Sequence, residues 1–359
     1  MITLALAMIV KNEQDNLKRC IDSVKNLVDE IIVIDTGSTD DTRNIALQLG
    51  AKVYDYQWAE HFSDARNYSI SKASSDFILV LDADEYILAN GHLIKEFISG
   101  NQRLIGRINI KSSYMENGEV REVATFVSRV FPNSGIYFEG AIHEQINSTL
   151  PRKNIEVIVG HDGYLLKDKT KRNLPLLLKE LEASGPDDYL YYQIGKQYYL
   201  RADYFQANKF FSLAYSSIKD NVYFKPQLVL DYLYSLLRSK EFTIGLSIIE
   251  TENEFFKKSA DFHFVSGYFF MEMIFSDVSK YISYFPRIEE AYSKCLVIGE
   301  NTRENQVVGT GSFLALYNLG VYYESLGKID EAADYYQKAT EYGYKKAIER
   351  LAILNKRKR

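Results

Sequence analysis

Between residues 4 and 81 the apolar positions come in short continuous runs, separated by stretches with helical spacing. Leu4 to Val10 reads as a strand, and Leu17, Cys20, Ile21, Val24 and Leu27 then mark one face of a helix. Glu30 to Ile34 reads as the next strand. Its helix opens at Ser38-Thr39-Asp40-Asp41, in the manner of a capping box, and stops at Gly50. Ala51 to Tyr56, a helix from Ser63 to about Ala73, and the apolar strand Phe77 to Leu81 complete the alternation. Continuous apolar strands between helices predict a parallel sheet covered on both faces. The period then changes. Arg103 to Ser112 and Glu119 to Phe131 read as two strands turning at Asn117-Gly118, and Phe138 to Asn147 as a polar loop.

The second half is helical and repetitive. Leu316, Leu319, Gly320, Tyr323, Gly327, Ala332, Tyr336 and Ala339 follow the tetratricopeptide spacing, with Leu316 in place of the usual Trp. Tyr191, Ile194, Gly195, Tyr198, Ala207, Phe211 and Ala214 form an earlier copy, and 228–250 and 263–299 read as degenerate helix pairs. Single helix pairs cannot bury their apolar faces alone, so at least three units are expected. The expected domains are 1–168, an α/β domain, and 169–359, an all-α repeat domain.

At 359 residues the chain exceeds one ordinary hydrophobic core, in keeping with two domains. A net charge of -5 argues against a general nucleic-acid binder, which needs a basic face. The two cysteines, Cys20 and Cys295, both fall in helical patterns; that suits reduced thiols and a cytoplasmic location. The opening apolar run leads into Lys11-Asn12-Glu13 rather than a small-residue cleavage site, and no later run reaches the length of a membrane span. The 28 Tyr and 20 Phe lie mostly at repeat-packing positions, which assigns them to the core rather than to sugar stacking.

Candidate chemistry gathers where strands end. Asn12 and Glu13 follow the first strand, Asp35-Thr36-Gly37-Ser38 the second, and Asp82-Ala83-Asp84-Glu85 the fourth. In an open parallel sheet these carboxyl ends line one crevice, where ligands bind. If the backbone stays extended, Asp82 and Asp84 face one side and Ala83 the other, offering hard oxygen ligands to Mg²⁺ or Mn²⁺. Arg66 falls in the first turn of a helix, where the macrodipole disfavours a cation. A bound diphosphate reconciles the two; a pair with Asp64 or Asp84 is the alternative. Asp35 either caps the following helix or holds the base or ribose of a nucleotide. Glu139 to Glu144 offers a general base, with His143 beside it for metal or phosphate, or else ordinary loop hydrogen bonding. His161 is either a metal ligand or a satisfied boundary histidine.

With these residues together, the chain resembles the family 2 glycosyltransferases of the GT-A fold from Ile2 to about Tyr164. The resemblance is carried by Lys11-Asn12-Glu13, Ile34 to Thr42, Phe62 to Asn67, and Leu81 to Glu85. It implies inverting transfer from a UDP-sugar, with Asp82 and Asp84 placing the metal and His161 joining it. It puts Asp35 near uridine and Arg66 near the phosphates. Val10, Asn12, Glu13, Thr36, Ser38, Asp64 and Ala83 complete the implied donor-contacting set. Many family members carry an acid where this chain has Thr36. Gly140-x-x-His143-Glu144, His161-x-Gly163-Tyr164 and Lys171-Arg172-Asn173 ahead of the repeats are similar to a bacterial subgroup that includes the sublancin-type bacteriocin peptide glycosyltransferases, which modify Cys or Ser. That places His143 and Glu144 in the active site, with Glu144 the first and Glu139 the second candidate base.

The implied partners are a UDP-sugar, with UDP-glucose favoured, and a peptide or protein acceptor; a second copy of the chain is a further candidate. A cell-envelope glycan or lipid acceptor, or a non-catalytic repeat scaffold, are the alternatives. A nucleotidyltransferase or dinucleotide dehydrogenase wants a Gly-rich phosphate loop near the N-terminus, and Leu4 to Asn16 contains no Gly.

Overall fold

The computed structural model describes residues 2–100, 103–116, 119–161, 170–220, 222–300 and 306–357. They divide into two compact units, Met1–Glu180 and Leu181–Arg359.

The first unit opens with β1 (Leu4–Val10), α1 (Leu17–Val24), β2 (Glu30–Asp35), α2 (Thr42–Gln48), β3 (Lys52–Asp55), α3 (Phe62–Lys72) and β4 (Phe77–Val80). The four strands pair in parallel, β2 with β3 and β1 with both β2 and β4. β1 is apolar throughout because both its faces are covered. Leu4, Leu6, Met8 and Val10 pack with Leu17, Cys20, Ile21 and Val24 on one side. On the other, the small Ala5 and Ala7 let Ile70 of α3 close on Ile78 and Val80.

The unit continues with β5 (Glu85–Ala89), α4 (His92–Gly100), β6 (Ile105–Glu116), β7 (Glu119–Pro132), β8 (Tyr137–Glu139), β9 (Gln145–Asn147), β10 (Arg152–His161) and α5 (Thr170–Ser184). The sheet runs β3-β2-β1-β4-β7-β6-β10-β5. β7 is antiparallel to β4 and β6, and β10 is parallel to β6 and antiparallel to β5. The expected hairpin is present, its strands pairing out to Glu116 and Glu119, while Asn117 and Gly118 lie outside the described residues. Nearer the sheet centre its register slips. Gly106 pairs with Val130 and Arg107 with Ser128, so Arg129 has no opposite residue and forms a β-bulge.

Two expectations are corrected. Phe138 to Asn147 is not merely a loop, because β8 and β9 form a small antiparallel hairpin around it. α2 starts at Thr42, later than a capping box at Ser38 would place it, because Asp40 Oδ1 accepts the Thr42 N–H at 3.0 Å. β5, α4 and β10 are further elements that the apolar pattern does not predict. As for the boundary, α5 starts within the first unit: Lys179 pairs with Glu60 at 2.9 Å, and Glu180 Oε1 accepts the Ala141 N–H at 3.2 Å.

The second unit is helical: α6 (Asp188–Leu200), α7 (Tyr204–Ser217), α8 (Lys225–Ser239), α9 (Phe242–Glu252), α10 (Ala260–Ser276), the short α11 (Val278–Tyr281), α12 (Phe285–Ile298), α13 (Phe313–Ser325), α14 (Ile329–Thr340) and α15 (Lys345–Arg357). The expected end copies are α6/α7 and α13/α14, and the degenerate middle is α8/α9 and α10/α12. A glycine meeting an aromatic ring sets the helix approach in each region. A Cβ on Gly195 would stand 2.6 Å from the Phe211 ring, and one on Gly320 2.5 Å from Tyr336. One on Gly245 would stand 2.2 Å from Phe269, and one on Gly267 2.9 Å from Tyr292. That explains why the motif demands glycine there, since only its absent side chain leaves room for the ring. No helix among the described residues is long and apolar enough to cross a membrane.

Candidate active site

The carboxyl ends of β1, β2 and β4 come to one edge because these strands are parallel and adjacent. At β1 and β2 the polar residues lock each other. Asn12, held at φ 55°, accepts the Thr39 N–H on Oδ1 at 2.7 Å, while its own N–H donates to Ser38 Oγ at 3.0 Å. The Val10 carbonyl accepts both the N–H and the hydroxyl of Thr36, each at 3.0 Å. Glu13 N–H donates to Thr42 Oγ1 at 2.7 Å, and Glu13 Oε2 accepts from Asn16 at 2.9 Å. Asp35 does not cap α2. Its buried Oδ1 accepts the N–H groups of Gly37 (2.9 Å) and Ser38 (2.7 Å), bending the chain through Gly37 at φ 101°.

Past β4 the chain does not stay extended. Asp82 to Glu85 is a tight turn closed by the Glu85 N–H on the Asp82 carbonyl at 2.9 Å. Asp82 and Asp84 therefore share a turn, with Ala83 buried between them, and each finds its own partner. Asp82 Oδ1 accepts from Arg66 Nη2 at 2.8 Å. Asp84 Oδ2 lies 3.4 Å from His161 Nε2, whose Nδ1 lies 3.0 Å from Ser112 Oγ. Sheet register brings His161 there, since it stands opposite Glu85 on β5 and Ser112 on β6.

Arg66 is the hub. It lies in the second turn of α3, 8% exposed, and its Nε donates to Glu144 Oε1 while Nη2 holds Asp82. Its Nη1 is buried with no partner. Burial alone would lower the guanidinium pKa; the charges of Asp82 and Glu144 outweigh it and raise it. Burial likewise pushes Asp82 upward, but Arg66 and then Arg129 hold its carboxyl well below the usual range. Arg66 thus pairs with Asp82, rather than with Asp64 or Asp84. Asp64 instead faces His61 at 3.3 Å on the exposed side of α3.

The Glu144 segment is stitched to α3. Phe62 N–H donates to the Ala141 carbonyl (2.7 Å), Ser63 Oγ to the Gly140 carbonyl (2.5 Å) and Asn67 Nδ2 to the Phe138 carbonyl (2.9 Å). Glu144 enters the cluster by this route. Glu139 does not: it is exposed on β8 and accepts from Asn147 Nδ2 at 2.5 Å. His143 takes a left-handed backbone, φ 55°, in the same loop.

Two further members join the cluster: Arg129, not singled out from sequence, and Glu85, expected only as part of the acidic strand end. Arg129 Nη2 reaches both Glu85 Oε1 and, at 3.3 Å, Asp82 Oδ2; Glu85 Oε2 accepts the Asp82 N–H at 3.0 Å. Burial pushes Glu85 upward, against the pull of Arg129. The available signal was a cation inside the apolar run Val127-Ser128-Arg129-Val130-Phe131. Cys20 is buried, and burial, then the charge of Glu85, holds its thiol well above the ordinary value. Among the described residues no three His, Cys, Asp or Glu side chains form a preformed metal cage. Asp162, Gly163 and Tyr164 lie outside the described residues.

Comparison with known proteins agrees with this architecture. Residues 6–109 match the model of the glycosyl transferase family 2, and residues 313–342 that of the tetratricopeptide repeat. A TPR repeat-containing protein of Synechococcus elongatus is 52% identical over 88 residues, 24% of this chain and 22% of its own. The prophage-derived glycosyltransferase SunS of Bacillus subtilis is 30% identical over 270 residues, 70% of this chain and 63% of its own. Glucosyl-3-phosphoglycerate synthase of Mycobacterium tuberculosis, solved with Mn²⁺, uridine diphosphate and phosphoglyceric acid, is 25% identical over 32% of this chain and 44% of its own, with a TM-score of 0.26. The chain thus spans less than two thirds of the length of these relatives. Its first unit carries a match to the glycosyl transferase family 2 model, and its second a match to the tetratricopeptide repeat model.

Proposed function

We propose that the protein is an inverting, divalent-metal-dependent glycosyltransferase that moves a hexose from a UDP-sugar, UDP-glucose favoured, to a Cys or Ser side chain of a peptide. One observation carries the reading: a buried guanidinium, Arg66, sits at the ligand edge of the sheet beside Asp82, with Nη1 buried and unpaired. A buried N–H donor without a partner costs about 1–3 kcal/mol, a cost that a bound phosphate oxygen would remove. The donor chemistry at the acidic turn also fits a hard cation. Asp84 and His161 converge to 3.4 Å with the Asp82 carboxylate on the same turn. Asp84 and His161 would hold Mg²⁺ or Mn²⁺, which when bound would neutralise charge on the departing diphosphate.

The remaining roles belong to the chain. Arg66 orients the diphosphate through Nη1, and Asp35 with the locked β1 and β2 ends faces the nucleoside. Glu144 accepts the proton of the acceptor thiol or hydroxyl. Its sulfur or oxygen then bonds to the anomeric carbon as the bond to the diphosphate oxygen breaks, inverting the configuration. The likeness to SunS covers 270 residues, more than the first unit alone contains, which supports a reading that couples transferase and repeats. Repeat pairs present an extended surface suited to a peptide acceptor. The two cysteines, both free and buried, suit the cytoplasmic location.

The test incubates the protein with Mn²⁺, a panel of UDP-sugars and peptides containing Cys or Ser, and reads mass additions. Asp84→Ala should abolish transfer with the melting temperature preserved. Transfer by Asp84→Ala that ignores chelator would remove the metal from the mechanism.

A further inference from the structure

Arg129 and Glu85 are buried ions that face no crevice: Glu85 is 2% and Arg129 9% exposed. Burying an ion pair costs several kcal/mol per ion before its attraction repays any of it, and an apolar pair would fill the space as well. The geometry shows what the ions do instead. The bulge in β7 falls at Arg129, one residue past the last pairing of β7 with β4, Val130 with Leu79. A bulge re-aims a side chain, and here the guanidinium ends beside the chain leaving β4. Its Nη2 joins Glu85 Oε1 to Asp82 Oδ2, while Glu85 Oε2 takes the Asp82 N–H and the Asp82 carbonyl takes the Glu85 N–H. The acidic turn is closed by its own backbone and clasped from beneath by one buried pair.

We infer that Arg129 and Glu85 are positioning residues that fix the Asp82–Asp84 turn in the orientation the metal and the diphosphate require; this rests on the donor site proposed above. Neither touches the substrate. Outer partners of metal ligands commonly control affinity by 10- to 100-fold on that basis.

Binding, read without turnover, tests it: Mn²⁺ and UDP are titrated into the full chain by calorimetry, with thermal melting in parallel. Arg129→Met and Glu85→Gln should weaken the Mn²⁺-dependent binding of UDP by about 10- to 100-fold, with Arg129→Lys intermediate. Glu85→Leu combined with Arg129→Met removes both charges, and should recover melting stability while binding stays weak. Wild-type affinity in a folded Arg129→Met or double variant would overturn the inference and leave the donor site standing. If the double variant does not fold, Glu85→Gln, nearly isosteric, carries the same comparison. If the wild type binds neither Mn²⁺ nor UDP, the donor-site reading falls first, and this inference with it.

Discussion

The two units treat buried charge differently. In the second, Lys225 is enclosed by Asp220 at 2.7 Å and Glu252 at 3.0 Å, and Glu252 also accepts the Tyr215 hydroxyl at 2.9 Å. Among its described residues, the buried atoms without hydrogen-bond partners, such as Gln197 Oε1, Asn208 Oδ1 and Ser235 Oγ, are neutral. In the first, Glu180 Oε2 and two guanidinium atoms, Arg66 Nη1 and Arg129 Nε, are buried and unpaired, and both arginines hold the same acidic turn. Of these, Arg66 Nη1 is the donor that a bound ligand oxygen would satisfy under the proposed function, whereas Arg129 Nε and Glu180 Oε2 belong to the scaffold.

The sharpest way to break this contrast is Arg66→Met. Turnover should fall by about 10²- to 10³-fold, the usual loss for one donor aimed at developing charge. Full activity in steady-state assays would make the orphan donor as idle as the neutral ones in the repeats. Next in size is an opposed pH response of the two units. Glu30, fixed by Ser74, Ser75 and Lys52, has its carboxyl pulled down to about 2 despite burial. Its stabilisation is complete above its ordinary 4.5 and disappears as pH falls toward 2, on the order of 2 kcal/mol after solvent screening. Asp261 behaves oppositely: burial raises it from 3.8 to about 6, although Thr310 and Val307 donate to it. The folded state binds its proton more tightly, so stability is full below about pH 4 and lost as pH rises through 6, on the order of 3 kcal/mol. Asp261→Asn should flatten that slope and Glu30→Gln the acid one; denaturant melts across pH would show slopes unmoved if either assignment is wrong.

Smaller still is Gly245→Ala. Helix propensity alone predicts a gain near 1 kcal/mol, but the added Cβ would meet the buried Phe269 ring at 2.2 Å. We expect a net loss of about 1–3 kcal/mol with UDP binding at 25 °C unchanged; a stabilised variant would show the ring can move aside. Glu139→Gln should leave turnover within assay scatter, whereas Glu144→Gln lowers kcat, because only Glu144 reaches Arg66.

The parallel half was legible because both its periods were. Leu4 to Val10 is a strand with no polar position, and the α1 stripe Leu17, Cys20, Ile21, Val24 is wholly buried. The repeats were legible because a glycine facing an aromatic ring is a local constraint, visible at Gly195 and Gly320. The acidic turn was found for the wrong geometric reason, since strand alternation stops at Val80 and the turn begins at Asp82. β10 was overlooked although Ile155, Val157 and Val159 alternate in it, because its first three positions are exposed and polar. Arg129 was hidden in principle: register slips are made between strands, and one strand's sequence does not announce them. Glu144 came from a motif, while its contact with Arg66 needed the fold to bring together positions 78 residues apart.

The stitching of 138–144 to α3 has a mechanical corollary. A helix that carries Arg66 and a loop that carries Glu144 cannot shift independently without breaking four hydrogen bonds besides the Arg66–Glu144 pair. The two residues therefore travel as one piece, and under the proposed transfer it is the acceptor that must arrive in an accommodating shape.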